Sequence, residues 1–155
     1  MGFIEWLWKD EQPVWLVQAA SARLFTVSSK SLIETLLAEH DLIDSALDKL
    51  SAGVKVGRID VELLRHLLRA IREHYLHEDH FLKLLQGHQP PLVDKLAAQH
   101  EEALEIAARL EESQVAGETA DVMYLTRRFL AIASHNIIEE ERDVFPLARH
   151  FFSDQ

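Results

Sequence analysis

Apolar residues recur at intervals of three and four in four long segments, which are separated by short stretches that contain glycine, serine or proline. This spacing places the apolar side chains on one face of a helix. None of the segments alternates apolar and polar residues in the way that a half-buried strand does. The pattern therefore predicts four amphipathic helices, over about residues 31–50, 60–86, 90–116 and 119–151.

The ends of these predicted helices carry residues that are typical of helix caps. Ser31 followed by Glu34 is a capping-box pattern, and Asp60 is suited to the N-cap of the second helix. Pro90 fits the first turn of the third helix, where the missing N–H costs nothing. Pro146 lies near the end of the fourth helix and is expected to kink or terminate it.

Four helices joined by short loops predict an all-α fold, an antiparallel up-down-up-down four-helix bundle. We expect this bundle to span residues 31–151 and to follow an aromatic-rich extension over residues 1–30. The extension contains all three tryptophans of the chain, Trp6, Trp8 and Trp15. It either packs across the bundle or provides a surface for a homodimer or a partner protein, because clustered exposed aromatic residues mark interfaces.

The composition excludes several kinds of protein and binding partner. With 155 residues, of which 48% are hydrophobic and 27% charged, the chain fits one globular domain. A formal net charge of −10 disfavours binding to nucleic acid or to an anionic membrane. The chain has no cysteine, which excludes disulfides and thiolate-bound metals, and no apolar run long enough to span a bilayer. We therefore expect a cytoplasmic protein.

Nine histidines are an unusual number, and several of them follow a repeated spacing. A histidine followed by a His-x-x-x-Glu motif occurs twice along the chain. Its members are His40, His74 and Glu78 in the first half, and His100, His135 and Glu139 in the second. The two histidines of each half are 34 and 35 residues apart. The four predicted helices thus carry one such histidine each.

This spacing has a physical meaning. Residues four apart share one face of a helix, so His74 and Glu78 can point at one ion from the apolar face. Four imidazoles and two carboxylates could hold two metal ions with coordination positions left open, a donor set that suits non-haem iron. Burying these groups without a metal would be costly. His77 is about 60° from His74 around the helix axis. It either lies at the edge of the buried face or contacts the metal ligands without binding the metal itself.

The segments around these residues resemble a known family, the hemerythrin-like (HHE cation-binding) domains, over about residues 32–150. The matching stretches are LLAEHDLIDSALDKL, HYLHEDHFL, LAAQHEEALEIAARL and HNIIEEERDVFPLA. The resemblance implies an antiparallel four-helix bundle with two non-haem iron ions in an oxo- or hydroxo-bridged di-iron centre. It also implies a reaction with O2 or a related small molecule such as NO or peroxide.

The sequence departs from the family pattern in two places. Oxygen-carrying members have a second histidine four residues after the one on the third helix, where this chain has Leu104. The interval from His135 to Pro146 is one residue longer than is usual. Counting from His135 favours Glu139 as the ligand of the fourth helix, and counting back from Pro146 favours Glu140. A π-bulge would bring Glu140 round to the core face, so both glutamates stay open.

Three functions fit these observations. The first is a di-iron protein that binds or senses O2, NO or peroxide. The second is an enzyme that reduces peroxide or O2 at the same centre, or a donor of iron for the repair of damaged metal centres. The third is a metal-free helical interaction module that works through the tryptophan-rich extension.

Overall fold

A computed structural model describes residues 29–152, which are helical except for short loops and contain no strand. The elements are α1 (Ser29–Lys55), α2 (Val61–Leu85), α3 (Pro90–Ala116), α4 (Thr119–Glu139), a π-helical turn (Glu140–Val144) and α5 (Phe145–Phe152). No helix in this part of the chain has a stretch long and apolar enough to cross a lipid bilayer. The aromatic-rich extension, with its predicted interface, lies outside the described residues.

The predicted caps of α2 and α3 lie at the helix ends, whereas Ser31 is inside α1, which begins at Ser29 and continues to Lys55. The side chain of Asp60 accepts a hydrogen bond of 3.0 Å from the backbone N–H of Leu63, at the start of α2. Pro90 begins α3, where its missing N–H leaves no bond unmade. Gly117 ends α3 in the left-handed conformation, with φ at 73°, which glycine adopts without steric strain.

The four long helices form a closed ring. Each helix from α1 to α4 packs against the next one in the chain, and α4 also packs against α1. Since the connecting loops are short, consecutive helices run in opposite directions. The structure thus confirms the predicted up-down-up-down four-helix bundle.

The core of the bundle consists of two apolar clusters with a buried polar layer between them. The first cluster includes Ile43, Leu64, Ile106, Leu110 and Phe129. The second lies toward the other end of the bundle and includes Leu36, Phe81, Leu85, Leu96 and Phe145. On every helix the residues between the two clusters include a buried histidine or glutamate. The four buried polar positions, one on each long helix, therefore lie at one depth of the bundle.

The end of α4 shows how the chain accommodates Pro146. A proline lacks the N–H for an α-helical bond, and its ring crowds the carbonyl group four residues before it. The chain widens into the π-helical turn just before this point, where the N–H of Phe145 bonds to the carbonyl of Glu140. The helical path then continues as α5 to Phe152, so Pro146 changes the turn type and does not terminate the helix.

Candidate metal centre

The buried polar layer contains five side chains that meet in the middle of the bundle. α1 contributes His40, α2 contributes His74 and Glu78, α3 contributes His100, and the π-helical turn contributes Glu140. Between 0% and 7% of the surface of each residue is exposed. Such complete burial of five ionisable residues is unusual and requires that they satisfy one another or a bound ion.

Four of these side chains converge on one point. The Nε2 atoms of His40 and His74 are 2.9 Å apart, and Glu140 Oε2 lies 3.0 Å from the first and 3.8 Å from the second. Glu78 Oε2 lies 3.6 Å from His74 Nε2. One ligand atom from each of these four residues lies within 4.8 Å of all the others. We call this group of His40, His74, Glu78 and Glu140 the cage.

Two buried carboxylate oxygens of the cage indicate a place for a cation. Glu78 Oε2 and Glu140 Oε2 are fully buried, and neither has a well-aligned hydrogen bond. Buried carboxylate oxygens without a well-aligned hydrogen bond are costly, and a cation between them and the two imidazoles would satisfy both oxygens. Imidazole and carboxylate groups are also ordinary ligands of first-row transition metals. The residues present therefore fit a metal ion.

His100, on α3, contacts both carboxylates of the cage. Its Nε2 is 3.0 Å from Glu140 Oε1, with which it forms a hydrogen bond, and 3.3 Å from Glu78 Oε2. The ring of His100 stacks on the ring of Tyr75, with centroids 3.8 Å apart and planes 10° apart. The Tyr75 hydroxyl in turn accepts a hydrogen bond of 3.1 Å from the amide of Asn136. Neither Tyr75 nor Asn136 was among the predicted site residues.

Two further glutamates hold the imidazoles of the cage in place. Glu39 is buried, and its two oxygens lie 2.7 Å from Nδ1 of His74 and 2.7 Å from Nδ1 of His77. Glu141 Oε1 lies 2.9 Å from Nδ1 of His40. A carboxylate at Nδ1 keeps the proton on that nitrogen, which leaves the Nε2 lone pair free for a metal. His77 therefore lies outside the cage and shares the carboxylate of Glu39 with His74.

The electrostatics of the cluster follow from its burial and its carboxylates. Burial lowers the pKa of His74, but the negative charges of Glu78 and Glu140 outweigh it and raise this pKa to about 10. Burial, together with repulsion from Glu140, raises the pKa of Glu78 well above its ordinary value. Burial also opposes the charge on Glu140, but the hydrogen bond from His100 and the close approach of the His40 imidazole hold its pKa well below normal. Without a cation the cluster therefore retains protons, which must leave when a metal ion binds.

The structure does not bring His135 to this cluster. The side chain of His135 is 65% exposed, so the expectation that it lies on the buried face is wrong. The buried positions near it on α4 are Ala133, Asn136 and Ile137, and one turn further on comes Glu140. Since neighbouring residues are about 100° apart around a helix, a core face centred on these residues turns His135 toward solvent. Asn136 takes the inward position that was assigned to His135.

Glu139 is also kept away from the cage. It is buried, but its carboxylate contacts the ammonium group of Lys95 and accepts a hydrogen bond of 2.9 Å from Gln99, both on α3. The hydrogen bond from Lys95 is the largest influence on the pKa of Glu139 and lowers it. Of the two glutamates that the sequence left open, Glu140 is the one that reaches the cluster.

The bundle and its buried histidine–glutamate cluster define a helical protein with a site that could bind a metal ion. The model of the Hemerythrin HHE cation binding domain family matches residues 29–148, and the chain therefore belongs to this family. No curated protein and no solved structure has significant similarity to the chain.

Proposed function

We propose that this protein binds iron in the cage and that the iron binds or senses O2 or a related small molecule such as NO or peroxide. The observation that supports the proposal is the convergence of two imidazoles and two carboxylates, with two buried carboxylate oxygens that have imidazoles nearby but no well-aligned hydrogen bond. Nitrogen and oxygen ligands with vacant positions suit non-haem iron. When bound, iron supplies an open coordination position and one-electron redox chemistry.

Each residue of the cage has a distinct part in this proposal. His40 and His74 provide neutral imidazoles, whose orientation Glu141 and Glu39 maintain. Glu78 and Glu140 offset the charge of the ion, which is necessary in a layer that both apolar clusters shield from water.

A groove of about 740 Å³ between α2 and α3 would bring a small molecule as far as His100, which lines it together with Tyr75. His100 contacts both carboxylates of the cage. Because the groove is also lined by Leu76, Leu82, Ala97 and Leu104, it offers an apolar path for a diatomic molecule.

The family resemblance implies two irons, which Glu78 and either Glu139 or Glu140 would hold together; of the two alternatives, Glu140 is the one in contact with the cluster. His100 contacts both Glu78 and Glu140 from α3 and could face a second ion. A cytoplasmic location, and docking of a second copy or a partner through Trp6, Trp8 and Trp15, are further parts of the proposal.

The proposal is tested by loading the full chain with Fe(II) under anaerobic conditions and then titrating it with O2 and with NO. We expect the folded protein to retain iron after removal of free metal, and its absorption spectrum to change on addition of either gas. Return of the spectrum after removal of the gas indicates binding or sensing, and continued consumption of O2 or peroxide indicates an enzyme. A folded protein that retains no iron would contradict the proposal and favour a metal-free interaction module.

Replacement of Glu39 tests whether this glutamate supports the cage. We expect Glu39→Gln to weaken metal binding by about 10–100-fold, because the uncharged amide oxygen is a weaker acceptor for Nδ1–H of His74 than the carboxylate. The measurement is a competition titration against a chelator of known affinity. Glu34→Gln, on the exposed face of the same helix, is the matched control and is expected to bind as the unaltered chain does. Equal affinities in the two variants would contradict this role.

A further inference from the structure

We infer that the cage holds a single metal ion per chain, and that His100, stacked on Tyr75 and backed by Asn136, does not complete a site for a second ion. This inference rests on the proposed function, because it assumes that the cage binds metal. It concerns the side of the two carboxylates that faces α3 and α4.

The two sides of the carboxylates differ in the ligands they offer. The side toward α1 and α2 has two imidazoles, His40 and His74, within 2.9 Å of each other. Among the described residues, the side toward α3 has only the imidazole of His100. The positions one turn before and after it on α3 are Leu96 and Leu104, neither of which can bind a metal.

The fourth helix does not supply the missing imidazole. Its histidine, His135, is largely exposed to solvent, and the inward position beside it holds Asn136. The amide nitrogen of Asn136 is committed to the Tyr75 hydroxyl, which leaves its amide oxygen without a partner. One amide oxygen and one imidazole are a poor set of terminal ligands for a transition metal ion.

The two oxygens of Glu140 differ in the same way. Oε1 accepts a hydrogen bond from His100, whereas Oε2 lies 3.0 Å from His40 Nε2 without a well-aligned hydrogen bond. Glu78 Oε2, which also lacks a hydrogen bond, lies between His100 at 3.3 Å and His74 at 3.6 Å. His100 is therefore a positioning residue that holds the carboxylate of Glu140 by a hydrogen bond. Tyr75, stacked flat against the ring of His100, keeps that ring in place.

The test is a count of metal per chain. The full chain is loaded anaerobically with excess Fe(II), or with Co(II) as a second probe, and free metal is removed before elemental analysis. We expect one ion per folded chain with either metal. Two ions per chain would overturn the inference and leave the proposed function intact, whereas no bound ion would overturn both.

Two matched variants locate the ion. We expect His100→Gln, which can still donate a hydrogen bond to Glu140, to retain one ion per chain with its affinity lowered less than tenfold. His74→Gln is expected to retain none. Circular dichroism shows whether each variant is folded, and the count on the unaltered chain tests the inference even if one of them is not. Complete loss of metal in folded His100→Gln would show that His100 is itself a ligand and would overturn the inference.

Discussion

We expect the His74→Ala variant to lose its metal ion while it keeps its helical fold. His74 is the centre of the cage, because its Nε2 atom lies within 3.8 Å of His40, Glu78 and Glu140. Truncation to alanine removes a ligand and also removes the group that Glu39 holds in place. Loss of a group that only orients a ligand costs about 10–100-fold in metal affinity, so loss of the ligand itself is expected to cost at least about 100-fold.

The same measurement on His135→Ala gives the control. Both histidines belong to the repeated His-x-x-x-Glu motif, but the side chain of His135 is 65% exposed and that of His74 is 1% exposed. Metal content per chain and circular dichroism are measured for both variants. We expect His135→Ala to retain the metal content of the unaltered chain. Loss of metal in folded His135→Ala, at the level seen for His74→Ala, would contradict the site that we describe.

The second large effect is expected for Glu140→Gln. The carboxylate of Glu140 reaches both sides of the layer, with Oε2 at 3.0 Å from His40 Nε2 and Oε1 at 3.0 Å from His100 Nε2. The substitution preserves the size of the side chain but removes a negative charge that balances the ion in a buried layer. We therefore expect metal affinity to fall by at least about 100-fold, measured by competition with a chelator.

Glu139→Gln is the matched control for this variant, since the two glutamates are adjacent and both are buried. The carboxylate of Glu139 contacts Lys95 and Gln99, not the cage. Its replacement is expected to leave metal affinity unchanged and to affect only the contact between α3 and α4. If Glu139→Gln lost metal and Glu140→Gln kept it, the end of α4 would have to be rotated relative to the structure.

The two pairs of variants together separate contact with the cage from membership of the sequence motif. The repeat of His-x-x-x-Glu predicts that His74, His135 and Glu139 matter for metal binding. The structure predicts that His74 and Glu140 matter and that His135 and Glu139 do not, because only His74 and Glu140 are within contact distance of His40.

Much of the architecture could be predicted because it depends on local chemistry. Apolar spacing defined the four helices, and Asp60, Pro90 and Gly117 marked their ends, since caps act within a single turn. The placement of His40, His74, Glu78 and His100 in one layer also followed from the sequence. On each of these helices the polar residue continues the apolar face, so burial of that face buries the ligand as well.

The sequence by itself thus determined the four-helix bundle and four of the five residues that meet in its centre. Only the tertiary structure decided the rotation of α4, which turns His135 to solvent and Glu140 inward, and the pairing of Glu39 with His74 and His77. The reason is that one residue changes the direction of a side chain by about 100°. Near the edge of the apolar face, the periodicity does not show which of two adjacent residues points inward, and packing of α4 against α1 and α3 decides it.

Contacts between helices, such as Tyr75 with His100 and Asn136, likewise depend on how the helices meet and leave no periodic signal along the chain.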